Sequence, residues 1–197
     1  MIARLIIATH NRKKAGEMMT ILSRRFPSIE ILTLADFDDA PEPEETGTTY
    51  AENAAIKADS AHAFTGEWCV ADDAGLEIDA LDGAPGLYSK RFGGEDLPFP
   101  EKMVKILSLL EQAESRKARF RCNVALAGPN HETRVFEATC EGEIATEPSG
   151  GGGFGYDPIF FLPQLGCCMA DLTADQKHQV SHRGKVLRQF GDYLETL

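Results

Sequence analysis

"RLIIATHNRKKAGEMMTILSRR", residues 4–25, holds the reading that decides the fold. "RLIIAT" is the short apolar run of a buried strand. The stretch from Arg12 then puts Ala15, Met18, Met19 and Leu22 on one helical face. Strand, turn and helix follow one another without a linker, and that is how an α/β sheet begins. Downstream, "IEILTL" (29–34) reads as a second strand. It enters "ADFDDAPEPEETG" (35–47), whose prolines and acids suit a loop rather than a helix or central strand.

From Thr48 the helical period returns, with Ala51, Ala54, Ala55, Ala58 and Ala61 forming a small-residue face that permits close packing. "WCVADDAGLEIDAL" (68–81) reads as strands broken by a glycine, and "PFPEKMVKILSLLEQA" (98–113) as a helix burying Met103, Ile106, Leu107 and Leu110. "RFRCNVALAG" (119–128) and "TRVFEATCEG" (133–142) alternate as paired antiparallel strands do. Ile159 to Leu162 make a further buried strand. "LTADQKHQV" (172–180) opens with Thr173 and Gln176 at capping-box spacing, and a last helix carries Leu187, Phe190 and Leu194. The sheet is therefore expected to be mixed.

With 197 residues, 43% of them hydrophobic, the chain can bury a substantial core as a single domain spanning 1–197. A net charge of −11 and a pI near 4.9 argue against a nucleic-acid polymer as partner, since phosphate contacts need a basic face. A small polyanion would need a local group of Lys and Arg, or a divalent metal held by carboxylates. The five cysteines have no paired CxxC spacing, so buried free thiols are expected rather than a zinc site or disulfides. "LIIA" is too short for a signal peptide and no run reaches the length of a membrane span, which points to a cytoplasmic protein with no membrane partner.

Four places could carry chemistry. "THNRKK" sets Asn11 and Lys14 at a helix start, where backbone N–H groups favour an anion, although an ordinary solvated cap would look the same. "PEPEETG" and "ADDAG" each pair neighbouring acids, whose repulsion is relieved if a cation shares them; Mg²⁺ prefers such hard oxygens. Glu44 and Glu45 could equally be solvated loop acids. Asp72 and Asp73 end an apolar strand, where α/β sheets bind ligands. "SGGGGFGYDP" (149–158) is either a linker or a loop of exposed N–H groups. It lacks the lysine of a phosphate-binding P-loop and runs into core. Finally, "SHRG" (181–184) with Lys177 groups donor-bearing side chains near the end of the chain. Anion donors, metal carboxylates, an aromatic glycine loop and base-facing donors together describe a nucleoside triphosphate site.

Five ordered segments, "THNRKKAGE", "EETGTTYAENAAIKA", "ADDAGLEIDALDGAPGLYSKRFGGE", "GGFGYDPIFF" and "LTADQKHQVSHRGKVL", resemble the motifs of the inosine triphosphate pyrophosphatase family nearly end to end. The resemblance implies an elongated mixed central sheet with flanking helices, and two lobes around a substrate cleft. It further implies a homodimer, and Mg²⁺-dependent hydrolysis of ITP, dITP and XTP to the monophosphate and pyrophosphate.

Carried onto this chain, the resemblance makes Asp73 the proton acceptor and a metal ligand alongside Glu44 and Glu45. Thr9, His10, Asn11, Arg12, Lys13 and Lys14 become the triphosphate segment. Ala74, Phe154, Gly155, Tyr156, Asp157, Lys177, His182 and Arg183 become further substrate contacts, mostly to base and sugar. On this reading the glycines let "FGYD" close over the purine, with Phe154 stacked on it. Two departures stand out: Ala74 where the family often has serine, and His10 where it often has glycine. A nucleotide sensor without turnover, and a pyrophosphatase for another base, are the alternatives.

Overall fold

The computed structural model describes residues 2–197. Seven strands, β1 (Arg4–Ile7), β2 (Glu30–Thr33), β3 (Trp68–Ile78), β4 (Lys117–Gly128), β5 (His131–Ile144), β6 (Phe160–Leu162) and β7 (Cys167–Cys168), form one sheet in the order β2-β1-β3-β4-β5-β6-β7. The helices are α1 (Arg12–Arg25), α2 (Tyr50–Thr65), α3 (Phe99–Leu109), α4 (Ala174–Val180) and α5 (His182–Leu194). Pairing of β1 with β2 and β3 is parallel, while β5–β6 and β6–β7 are antiparallel, so the expected mixed α/β sheet is borne out. Only Pro129 and Asn130, the latter at φ 59°, join β4 to β5, a connection that makes these neighbours an antiparallel hairpin.

Two compact units share these strands. Residues 2–73, 122–138 and 183–197 form the first, and residues 74–121 and 139–182 form the second. In the first, Leu5, Ile6 and Ile7 are wholly buried, each worth roughly 1.5–3 kcal/mol in apolar transfer. They explain why so short a run makes a central strand. Ala54, Ala58 and Ala61 of α2 meet Ile6, Cys69, Ala71, Ala125 and Ala127 in its core, the close packing that the small-residue face allows. A capping box of Thr49 and Glu52 starts α2, and Gly66 at φ 72° ends it.

The second unit has its own core of Leu76, Ile78, Met103, Ile106, Phe120, Ile159, Phe160 and Met169. Here one expectation is corrected. "WCVADDAGLEI" is a single unbroken strand, because Gly75 is flanked by the buried side chains of Ala71 to Asp73 and of Leu76 and Ile78, which pack wherever the chain stays extended. All five cysteines are free, and all but the half-buried Cys167 are buried. Among the described residues no helix is long and apolar enough to cross a membrane.

Candidate active site

In the first unit the β1–α1 turn and the middle of β3 supply opposite charges. Asn11 caps α1, its Oδ1 accepting from the N–H groups of Lys13 (3.0 Å) and Lys14 (3.2 Å), while Thr9 Oγ1 accepts from Asn11 N at 3.2 Å. This cap points Lys14 inward, where its Nζ lies 3.3 Å from Asp72 Oδ2. Arg12 and Lys13 stay exposed, and His10 Nε2 lies 3.2 Å from the carbonyl of Pro41.

Asp72 and Asp73 are adjacent on β3, so their side chains leave on opposite faces of the strand. The Asp72 carboxylate is wholly buried. Arg183 reaches its Oδ2 through Nη2 at 2.7 Å and Nε at 3.2 Å, and Arg183 Nη1 donates to Glu17 at 2.7 Å. Burial alone would raise the Asp72 pKa, but Lys14, Arg183 and Lys57 outweigh it and hold the group far below the ordinary carboxylate range. Nearby, burial and the charge of Asp72 push the Cys122 thiol up to about 12, which leaves it neutral.

For Asp73 the balance is reversed. Its Oδ1 accepts from Lys57 Nζ at 3.0 Å, and the same ammonium lies 2.9 Å from Glu45 Oε1. Burial dominates and raises the Asp73 pKa, against the opposing pull of Lys57 and Lys14 and with a further push from Glu45. Two neighbouring carboxylates are thus driven apart, one locked as an anion and the other inclined to take a proton.

Asp73 and Glu45, two hard-oxygen groups converging on one cation, fit the donor chemistry of Mg²⁺. Glu44 is exposed and is not drawn to Lys57 as its neighbour is. Among the described residues no three His, Cys, Asp or Glu side chains form a metal cage. A Mg²⁺ ion here would complete its shell with water and phosphate oxygens, as it usually does.

The second unit holds the aromatic part. Asp157, buried at the end of the glycine loop, accepts through Oδ2 from Lys177 Nζ (2.7 Å) and from Phe154 N (2.8 Å). Lys177 Nζ also lies 4.7 Å from the centre of the Phe154 ring, so one ion pair fixes the ring and the ammonium together. Gly155, at φ 68°, makes the turn between Phe154 and Tyr156. Tyr156 turns its hydroxyl inward and donates to the Ser89 carbonyl at 2.8 Å; burial raises its pKa. His182 stacks on Phe120 at 4.7 Å, and Ala74 is half-buried at the start of this unit.

The tail donors therefore divide. Lys177 pairs with Asp157 and stays with Phe154, whereas Arg183 pairs with Asp72 on β3 and Glu17 on α1. Lys57 and Glu17 went unread in the sequence. Lys57 lies three residues after Ala54 and four before Ala61, inside the buried stripe of α2, and a lysine at such a position was the available signal.

The mixed α/β sheet thus sets two aspartates at successive positions of one strand, with a lysine from α1 on the first and a lysine from α2 on the second. The chain belongs to the Ham1 family, whose profile matches residues 5–193. It is 44% identical over 195 residues to a dITP/XTP pyrophosphatase of Geobacillus kaustophilus, covering 98% of this chain and 95% of that one. Among solved structures it resembles a HAM1 protein from Coxiella burnetii, with a TM-score of 0.90, 38% identity and 100% of both chains covered. The Ham1 protein of Staphylococcus aureus gives a TM-score of 0.88 at 38% identity, with 98% of each chain covered. The family resemblance read from the five motifs is borne out.

Proposed function

We propose that this chain hydrolyses ITP, dITP and XTP to the nucleoside monophosphate and pyrophosphate, with Asp73 as the general base. The observation that carries this reading is the contrast at β3: Asp72 is clamped by Arg183 and Lys14, and Asp73, one residue on, has a raised pKa. A base must hold a proton it has taken from water, and a buried carboxylate does so better than a solvated one. Lys57 keeps Asp73 and Glu45 oriented together. Mg²⁺ held there by Asp73 and Glu45, with Glu44 as a further candidate, would neutralise charge that develops on the phosphate oxygens.

Lys14, with Thr9, His10, Asn11, Arg12 and Lys13 around the start of α1, holds the triphosphate. Phe154, Gly155 and Lys177 take the purine, braced from behind by Tyr156 and Asp157, with Ala74, His182 and Arg183 as further substrate contacts. The relatives' names, dITP/XTP pyrophosphatase, support the substrate class. A cytoplasmic homodimer using Mg²⁺ completes the proposal, and sedimentation of the purified protein tests the dimer.

Lys14→Ala is expected to raise KM for every nucleoside triphosphate by a similar factor, roughly tenfold for a lost charge-assisted contact. A phosphate contact carries no information about the base. Steady-state kinetics with ITP, XTP and ATP checks this; a loss confined to ITP would move Lys14 out of the phosphate site.

A further inference from the structure

We infer that the glycine-rich segment 149–153 is a docked strap rather than a moving flap, and that Asp171 is the positioning residue that anchors it for base recognition. A run of glycines suits either behaviour, and what separates the two is where a side chain would fit. A Cβ on Gly150, which has φ 79°, would lie 2.4 Å from the carbonyl carbon and oxygen of Ala170. Gly152 donates its N–H to the same oxygen at 2.9 Å, and a Cβ there would come within 3.0 Å of it. Gly151, between them, has nothing within 4 Å. The backbone is thus pressed against Ala170 at two glycines and open at the third.

Side chains complete the dock. Ser149 Oγ donates to Asp171 Oδ1 at 2.9 Å, and Asp171 Oδ2 accepts from Cys168 N at 2.9 Å. One carboxylate therefore ties the start of the strap to the turn on which the strap lies. At the other end a Cβ on Gly153 would fall 2.1 Å from Asp157 Oδ2, the oxygen that receives Phe154 N and Lys177 Nζ. Two residues beyond Asp171, Thr173 caps α4, the helix that carries Lys177. Asp171 thereby joins both chain segments that present the ring of Phe154 and the ammonium of Lys177. Ser149 and Asp171 brace the segments that carry Phe154 and Lys177, so loosening the strap should weaken base recognition and spare the chemical step.

The kinetic part of this inference rests on the proposed substrate class; the structural part does not, and two readouts separate them. Amide hydrogen exchange is measured on wild type, Asp171→Ala, Gly150→Ala and Gly151→Ala. Protection of Gly152 N–H is expected in wild type and Gly151→Ala, with a loss of about tenfold in the other two. In pyrophosphate-release assays with ITP and ATP, Asp171→Ala should raise KM for ITP about fivefold with kcat within about twofold. Its effect and that of Ser149→Ala should be non-additive, since both break one hydrogen bond.

Free exchange of Gly152 in wild type would overturn the strap, as would equal effects of Gly150→Ala and Gly151→Ala. A loss that fell on kcat alone would remove Asp171 from base recognition. If wild type released no pyrophosphate from ITP, the proposed function would fall, and the exchange data would still decide whether the segment is docked.

Discussion

Asp73→Asn is expected to lower kcat for ITP by about 10²–10⁴-fold, the range for losing a general base, while the protein stays folded. Asparagine keeps the shape of the side chain and can still meet Lys57, so the packing of β3 is retained. It cannot take a proton, and it is a poorer ligand for a divalent cation. The pH profile gives a second signature. If Asp73 is the base, the wild-type rate should climb with pH as the group ionises. In the variant that limb should vanish. Near wild-type turnover at saturating Mg²⁺, or an unchanged pH limb, would show that another group is the base.

The largest effect on stability is expected at its neighbour. Asp72→Ala leaves the Arg183 guanidinium, whose side chain is only 3% exposed, with its contact to Glu17 but without the buried carboxylate that takes Nε and Nη2. Breaking such a pair from one side costs about 3–5 kcal/mol. Asp72→Asn preserves the volume and should fall between wild type and alanine, so it remains measurable if the alanine variant does not accumulate. The pH dependence has a definite sign. The folded-state pKa of Asp72 is depressed, so its contribution is complete above the unfolded value of about 3.9 and fades as pH falls below it. Urea unfolding at neutral pH and in acid checks both points. A wild-type to Asp72→Asn difference that did not shrink in acid would mean the ionised carboxylate is not what stabilises the fold.

Where packing writes a period into the sequence, the fold was legible. The buried Leu5–Ile7 run, the α1 face of Ala15, Met18 and Leu22, and the alanine stripe of α2 each announce the element they form. Gly75 misled, because a glycine inside a strand marks a break only when its neighbours are free to leave the core, and Leu76 and Ile78 are wholly buried. For the site, residue types were legible and pairings were not. Lys177 and Arg183 are close in sequence, but their charges are claimed by Asp157 and Asp72, carboxylates 20 and 111 positions away. Such distances are set by topology, and no local period records them. Lys57 was hidden for a related reason: an alanine-rich face reads as packing until the strand it packs on is known to carry two aspartates. The glycine run was legible as backbone freedom but not as docking, since the surface it fits is the backbone of Ala170.

The most direct test is product analysis with purified wild-type protein and Mg²⁺ on a panel of ITP, dITP, XTP, GTP and ATP. Hypoxanthine and xanthine present at position 6 a keto oxygen that can accept from a donor such as Lys177, where adenine presents an amino group that cannot accept. A site built this way can reject the wrong analogue by about 10⁴-fold or more. The expected result is one monophosphate and one pyrophosphate from each ITP, dITP or XTP consumed, with ATP turned over thousands of times less efficiently. Release of inorganic phosphate and a nucleoside diphosphate, or hydrolysis of ATP as fast as ITP, would contradict the account.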